Sequence, residues 1–446
     1  MMTIDCGRYD VVMRLLPKLV RGLGLDMTYW ENAYASGPNT TASYPCMFSG
    51  TYPLTFRYGS MRGRLSFVEM LLKHGFITIG FPNNPFIGIR QGFNKGFTYY
   101  DYYVDKAGSR VLASTRKGQL VYRATIIDRA PRLKSLGLSL GLVIGAFRGY
   151  YDVAKVLTSK AISILSRLAR KKPVFLWANF MDAHFPYLSL ANYPSTLHHA
   201  LFVGRLHATY ISERYVPRDS ELAKATWIYY VRSVKAILHA IRTLVEHALE
   251  ILDDFTVLLT SDHGEELFEH GVYGHYGSVK GGVWLTRMYN ELLHIPFVVM
   301  GDSAGSLSID HDALLHHKDL PAIITELCGV KGPFKLDEKD IQAREHVVCE
   351  AKAYMIGTRL FGETYAIISS SGLKYVWHPI MGEALYDIKH GEQENLVNDM
   401  PEEARIFRRE LKKHIKLKAK ERTRHTLMRR LFHVRLKTGF HRRRGL

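Results

Sequence analysis

LLTSDHGEELFEHGVYGHYGS, residues 258–278, begins as an apolar strand and ends as a glycine-rich loop crowded with acids and histidines. The run FTVLLTS (255–261) stops at Ser261, and Asp262 and His263 stand side by side where such a strand ends. In open α/β sheets, ligands and metals gather beyond the carboxyl ends of the strands. Gly264 lets the chain turn away from that edge, and His270 and His275 follow in the loop. An adjacent carboxylate and imidazole offer oxygen and nitrogen to a divalent ion, a mixed set that suits Zn²⁺ or Mn²⁺. Taken as isolated residues, Asp262 reads equally as a helix cap and His263 as a surface side chain.

Two other segments repeat the form. TIDCGRYD (3–10) delivers Asp5 at the end of a short apolar stretch, and NFMDAHFPY (179–187) places His184 two residues before Pro186. Singly, Asp5 is a helix cap and His184 a loop histidine. As a set, they are strand ends bearing carboxylate or imidazole that one active site could collect.

The rest of the chain supplies the frame. FITIGF (76–81), PVFLWANF (173–180) and IPFVVMG (295–301) are apolar runs bounded by turn residues, as strands covered on both faces should be. The stretch 221–252 repeats apolar residues every three or four positions, a helical pattern. Strands alternating with helices predict an α/β class with a largely parallel sheet. From about residue 350, YAIISSSGLKYVWH (365–378) and EALYDIKHGE (383–392) read as short antiparallel strands. The expected organisation is a catalytic unit over 1–345, a small subdomain over 346–400 and a basic helical tail over 401–446.

Of the 446 residues, 47% are apolar and 23% charged, ordinary globular values that exclude disorder as the default. The net charge of +18 is concentrated in the tail. From Arg405 onward there are 17 Lys or Arg against 2 Glu, a surplus of 15 that leaves +3 for the first 404 residues. A basic helix carrying Ile415, Leu427, Leu431, Val434 and Leu436 suits an anionic membrane or an acidic partner, or is a solvated helix. No nucleic-acid fold motif accompanies it, so nucleic acid is not expected. The four cysteines form no CxxC pair and give neither a zinc signature nor a disulfide framework. The apolar stretch 135–147 is shorter than the ~20 residues of a spanning helix. No signal pattern opens the chain. A cytoplasmic protein, peripheral to the membrane at most, is the expectation.

These segments carry a family resemblance. WENAYASGPNTTASYPCMFSGTYP (30–53), NFMDAHFPY (179–187), LLTSDHGEELFEHGVYGH (258–275), MYNELLHIPFVVMG (288–301), LHHKDLPAIITELCGV (315–330) and EALYDIKHGEQENLVND (383–399) resemble, in order, segments of the sulfatase family of the alkaline phosphatase superfamily. The resemblance implies an α/β/α sandwich around a mixed, mostly parallel sheet, with a small antiparallel C-terminal subdomain. It also implies a divalent metal (Ca²⁺, Mg²⁺, Mn²⁺ or Zn²⁺) and a metal-bound nucleophile that forms a covalent intermediate. Asp5 matches the first metal carboxylate, and Asp262 and His263 match the closing pair. His184 and His275 match histidines that contact the ester oxygens or protonate the leaving group.

Departures from the family pattern are informative. The family's nucleophile is a Cys or Ser, converted to formylglycine within a Cys/Ser–x–Pro/Ala–x–Arg motif. Counting back ten positions from Gly50 puts Thr40 in that slot, Ala42 third and Tyr44 in the place of Arg. Cys46 is out of register and reads as a small apolar residue. The expected nucleophile is therefore the metal-activated hydroxyl of Thr40, as in relatives that act on phosphate esters. Asp5 is followed by Cys6, so the first metal segment is one carboxylate short, which argues against Ca²⁺. Only four residues precede Asp5, a short run for a central strand.

Arg8, Lys280 and Arg287 are candidates to hold sulfate or phosphate oxygens, or else solvated surface charges. His270 and His294 have no assigned role. Tyr99, Tyr100, Tyr102 and Tyr103 could wall a sugar site, although 26 tyrosines make such clustering ordinary. The expected function is metal-dependent hydrolysis of a small sulfate or phosphate ester, carbohydrate- or lipid-linked, through Thr40. Alternatives are phosphodiester-type group transfer on the same fold, or a non-catalytic binding protein at an anionic surface.

Overall fold

In the computed structural model the described residues are 1–101, 153–168, 172–187, 196–211, 215–279, 283–356 and 359–442. The chain runs through β1 (Met2–Ile4), α1 (Tyr9–Val20), β2 (Met27–Tyr29), β3 (Ala33–Tyr34), α2 (Thr40–Ser49) and α3 (Phe67–Lys73). Next come β4 (Ile77–Phe81), β5 (Tyr99–Tyr100), α4 (Val153–Leu168), β6 (Val174–Phe180), α5 (Thr196–Ile211) and α6 (Glu221–Ile251). Then follow β7 (Thr256–Ser261), β8 (Tyr276–Val279), β9 (Val283–Thr286), β10 (Phe297–Gly301), β11 (Leu315–His316) and α7 (Leu320–Leu327). The C-terminal part holds β12 (His346–Ala351), β13 (Tyr354–Ile356), β14 (Arg359–Phe361), β15 (Thr364–Ser369), β16 (Leu373–His378), β17 (Gly382–Asp387) and α8 (Pro401–Arg442).

The central sheet has the order β2-β10-β7-β1-β6-β4-β5. Three-residue β1 lies at its middle, paired in parallel with β6 on one side and β7 on the other. Short as it is, it needs no length of its own, because both neighbours supply its ladder. The apolar run over 295–301 does form β10, but antiparallel to β7 and to β2. An apolar run reports burial on both faces, not strand direction.

Side chains alternate across the sheet. Ile4, Ala178, Phe180, Leu259 and Val298 face one core, shared with α1, α4 and α6. Trp177, Leu258, Phe297 and Val299 face the other, under α2, α3 and α7. This is the expected α/β/α sandwich. Helix α6 starts where the Ser220 side chain accepts from the Ala223 amide, and buries Tyr230, Val234, Ile237, Ile241, Leu244 and Ala248 along one stripe. On the other face, Phe48 packs edge-on against Trp177 at 4.8 Å between ring centroids, with Phe67 and Phe93 beside it. Phe48→Ala is expected to destabilise the protein by roughly 3–5 kcal/mol, read as a lower unfolding midpoint, since a buried ring leaves a cavity.

The late strands β12-β15-β16-β17 form an antiparallel sheet, as expected. A second antiparallel sheet, β14-β13-β9-β8, joins strands from both sides of residue 346, because β13 pairs with β9. The unit expected over 346–400 thus shares a sheet with the chain before it.

Helix α8 lies against the body along Ala404, Phe407, Leu411, His414 and His425, residues three or four apart and then eleven, about three turns. His414 Nε2 meets Glu350 at 2.9 Å, Glu421 accepts from the Thr55 hydroxyl at 2.6 Å, and the Leu65 amide donates to His425 Nε2 at 2.7 Å. Ile415, Leu427 and Leu431 point outward among the basic residues. Among the described residues no helix is long and apolar enough to cross a membrane. The stretch 135–147, Lys280, Tyr102 and Tyr103 lie outside the described residues.

Candidate active site

Strand order brings distant strand ends to one edge of the sheet. Asp5 follows β1, Asn84 follows β4, His184 follows β6, and Asp262 and His263 follow β7. Asp5, Asp262 and His263 are all fully buried. Thr40 reaches them as the first residue of α2. Asn39 caps that helix, its side chain accepting from the Ala42 amide at 3.0 Å. Gly50 closes it in the left-handed conformation at φ 64°, donating to Cys46 O at 2.8 Å. The ten positions from Gly50 back to Thr40 are therefore the helix itself.

Thr40 Oγ1 donates to Asp262 Oδ2 at 3.0 Å and lies 3.4 Å from His263 Nε2. Asn84 Nδ2 donates to both Thr40 Oγ1 at 3.2 Å and Asp5 Oδ2 at 2.6 Å. The Phe86 amide holds Asn84 Oδ1 at 2.9 Å and so fixes the orientation of this amide. Asn84 was not among the sequence candidates. Its signal was present, a polar PNNP turn directly after an apolar strand. Asp262 Oδ1 accepts from the amides of His263 at 2.9 Å and Cys6 at 3.3 Å. Burial, and then the Asp5 carboxylate, push the Asp262 carboxyl well above the usual range.

Three imidazoles line the site. The ring centroid of His275 is 4.7 Å from that of His263 and 5.6 Å from that of His184. Each has Nδ1 opposite an acceptor: Gly264 O for His263 at 2.7 Å, Glu265 Oε1 for His275 at 3.1 Å, and Phe185 O for His184 at 2.6 Å. Nδ1 thus carries a proton in each ring. Burial, and then the neighbouring His275, hold His263 down to about 4, so it is neutral at pH 7. Burial drives the Glu265 carboxyl upward, but His275, His184 and His263 outweigh it and hold the group below its ordinary value. Glu265 is a second residue that the sequence did not single out.

The donor set fits a divalent ion. Ligand atoms of Asp5, Asp262 and His263 lie within 4.8 Å of one another. Two fully buried carboxylates facing each other need a positive partner, and nearby Arg8 is spent elsewhere. It pairs with Asp10 and Glu269 and donates to Glu265 O at 3.2 Å.

Other candidates are engaged with the protein itself. Arg8 and Arg287 are buried struts, neither solvated charges nor free oxyanion ligands. Arg287 donates to Tyr273 O and Gly274 O at 3.2 and 3.0 Å and faces Glu266 at 3.3 Å, pinning the loop that carries His275. His270 stacks on Tyr289 at 3.7 Å, and His294 on Tyr9 at 3.9 Å. Tyr100 donates to Ile87 O and packs on Phe97, while Tyr99 lies on the sheet edge. Cys46 is wholly buried, and burial pushes its thiol up. Tyr44, standing where the family motif has Arg, donates to Thr3 Oγ1 at 3.1 Å under the sheet. A cavity of about 830 Å³ opens at the opposite edge, between Met1, Pro173, Thr256 and Cys328, and holds none of these donors.

The family model described as Sulfatase matches residues 9–330. The chain belongs to the sulfatase family. It is an ester hydrolase of the sulfatase type. Solved structures share the fold of this sulfatase. A phosphonate monoester hydrolase from Silicibacter pomeroyi is 15% identical, with a TM-score of 0.65 over 93% of this chain and 94% of that one. A protein in complex with its substrate D-glucosamine-2-N,6-O-disulfate is 13% identical, with a TM-score of 0.62 over 94% and 97%. A 2-O glycosaminoglycan sulfatase is 15% identical, with a TM-score of 0.56 over 95% and 91%. No curated protein matches the sequence.

Proposed function

We propose that this sulfatase cleaves sulfate or phosphate esters by direct attack of the Thr40 hydroxyl. The observation that carries the proposal is the contact of Thr40 Oγ1 with Asp262 Oδ2 at 3.0 Å, in the register of the family's nucleophile. No Cys or Ser occupies that slot, so formylglycine chemistry has no precursor there.

Asp5, Asp262 and His263, with Thr40, would hold one divalent ion. Such an ion lowers the pKa of a bound hydroxyl and offsets the charge of an anionic ester. Asp262 Oδ2 accepts a hydrogen bond from the Thr40 hydroxyl at 3.0 Å, which orients it for loss of its proton. As the Thr40 oxygen bonds to sulfur or phosphorus, the bond to the leaving alcohol breaks. The alcohol takes a proton from His184 or His275. Glu265 Oε1, 3.1 Å from His275 Nδ1, orients that ring. Water then hydrolyses the Thr40 ester. The positive end of α2 faces the incoming anion.

Sulfated sugar and phosphonate monoester are the substrates named for two proteins of this fold. A small anionic ester on a carbohydrate or lipid alcohol is therefore the proposed class. Purified protein is to be tested with aryl sulfate, phosphate monoester, phosphodiester and phosphonate monoester, each with Mg²⁺, Mn²⁺, Zn²⁺ and Ca²⁺. Turnover of at least one ester is expected, and silence across the whole panel overturns the proposal. Group transfer replaces hydrolysis if an added alcohol, rather than water, collects the product group.

A further inference from the structure

We propose that Cys6 is a metal ligand, and that its sulfur tunes this site to a zinc-class ion in place of calcium. The inference rests on the metal-dependent reading above, and concerns which ion the residues select. From the sequence, Cys6 looked like a lost carboxylate. In the structure it is a replaced one.

Cys6 is fully buried and does not stand alone. Its sulfur lies within 4.8 Å of donor atoms of both His263 and His275. A second set at the same separation joins Cys6 to Asp5 and His184. Of the imidazoles, His263 is prepared as a ligand. Its Nδ1 is tied to Gly264 O at 2.7 Å, which leaves Nε2 with the lone pair, as the outer hydrogen bond of a metal-bound histidine does.

The backbone also holds Cys6 in place. It sits at φ 60°, a left-handed conformation that a non-glycine residue adopts at a cost. Three features keep it there. Its amide donates to Asp262 Oδ1 at 3.3 Å, its carbonyl accepts from Tyr230 Oη at 2.7 Å, and Gly7 follows where a Cβ would come within 2.2 Å of Ser261 Oγ.

Ligand chemistry then decides the ion. Calcium takes six to eight oxygens, whereas the three overlapping sets, Asp5–Asp262–His263, Asp5–Cys6–His184 and Cys6–His263–His275, draw mainly on imidazole and thiol. Thiolate and imidazole favour zinc and its neighbours in the first transition row. A lone buried cysteine would be inert. One whose sulfur lies within 4.8 Å of donor atoms of His263, His275, His184 and Asp5 is part of a chelating set.

Cobalt is the probe, because a sulfur bound to Co²⁺ gives a near-ultraviolet charge-transfer band and oxygen or nitrogen does not. Metal-free, full-length protein is titrated with Co²⁺. The band is expected in the wild type and in Cys328→Ser, a control for the remote thiol, and is expected to vanish in Cys6→Ser. Zn²⁺ should displace the Co²⁺, and Ca²⁺ in large excess should not. Cys6→Ser should weaken Zn²⁺ at least about tenfold, the lower end of what even an outer-shell loss costs. Cys6→Asp, which restores the family's second carboxylate, should gain Ca²⁺ retention and lose the band. A wild type that takes up Co²⁺ without the band overturns the assignment, and so does displacement by Ca²⁺ or a band that survives Cys6→Ser. The wild-type spectrum decides even where a variant misfolds. None of these measurements uses a substrate. A band without turnover on any ester would sink the hydrolase mechanism and leave the ligand standing, and turnover without a band would do the reverse.

Discussion

Thr40→Ala is expected to cut ester turnover by at least about 10³-fold while leaving the fold intact, the scale seen when an enzyme loses its nucleophile. The fold should survive because Thr40 is the first helical residue of α2, and Asn39 is the cap. Alanine is a good helix former at that position. The loss should fall on kcat, because the hydroxyl acts in the bond-forming step. Thr40→Ser is the informative companion. It keeps the oxygen that contacts Asp262 and Asn84, and should retain a measurable fraction of activity. Undiminished turnover in Thr40→Ala would move the nucleophile to another group, and equal loss in both variants would argue for packing in place of chemistry.

Asp262→Asn is expected to abolish metal retention and to reduce turnover as severely as Thr40→Ala. In the wild type, a divalent ion at a hundred times its Kd should raise stability by about 2.7 kcal/mol, since it binds only the folded chain. The variant should gain nothing from the same addition. Without metal the order is expected to reverse. Burial and the Asp5 carboxylate raise the Asp262 pKa in the fold above its unfolded value. A carboxyl shifted that way contributes stability at low pH and loses it as pH rises through the raised folded value. Apo wild type should therefore weaken with rising pH, and apo Asp262→Asn should not. Thermal unfolding with and without metal, across pH, reads both effects. A variant stabilised by metal to the same degree as the wild type would remove Asp262 from the donor set.

The residues that gather at the strand ends were legible in the sequence because each sits where local rules put it. An apolar run ends, a polar residue follows, and a Gly or Pro turns the chain. That rule found Asp5, His184, Asp262 and His263, and would have found Asn84 had the turn after β4 been weighed like the others. The register of Thr40 was also local, because α2 is a ten-residue helix closed by Gly50.

What the sequence determined by itself was which segments are buried strands, which are helices, and which hydroxyl starts α2. Hydrophobic periodicity and turn chemistry act over a few residues, so they can be read in place. Tertiary structure alone decided the rest. Strand order set β7, β1, β6 and β4 side by side, so that residues 5, 84, 184 and 262 meet at one edge. It turned Arg8 and Arg287 from candidate anion ligands into buried struts, and docked one stripe of a basic tail on the protein itself. It also changed Cys6 from a gap in a carboxylate pair into a thiol among three imidazoles. These are consequences of contacts between residues far apart in the chain, where no local pattern carries the information.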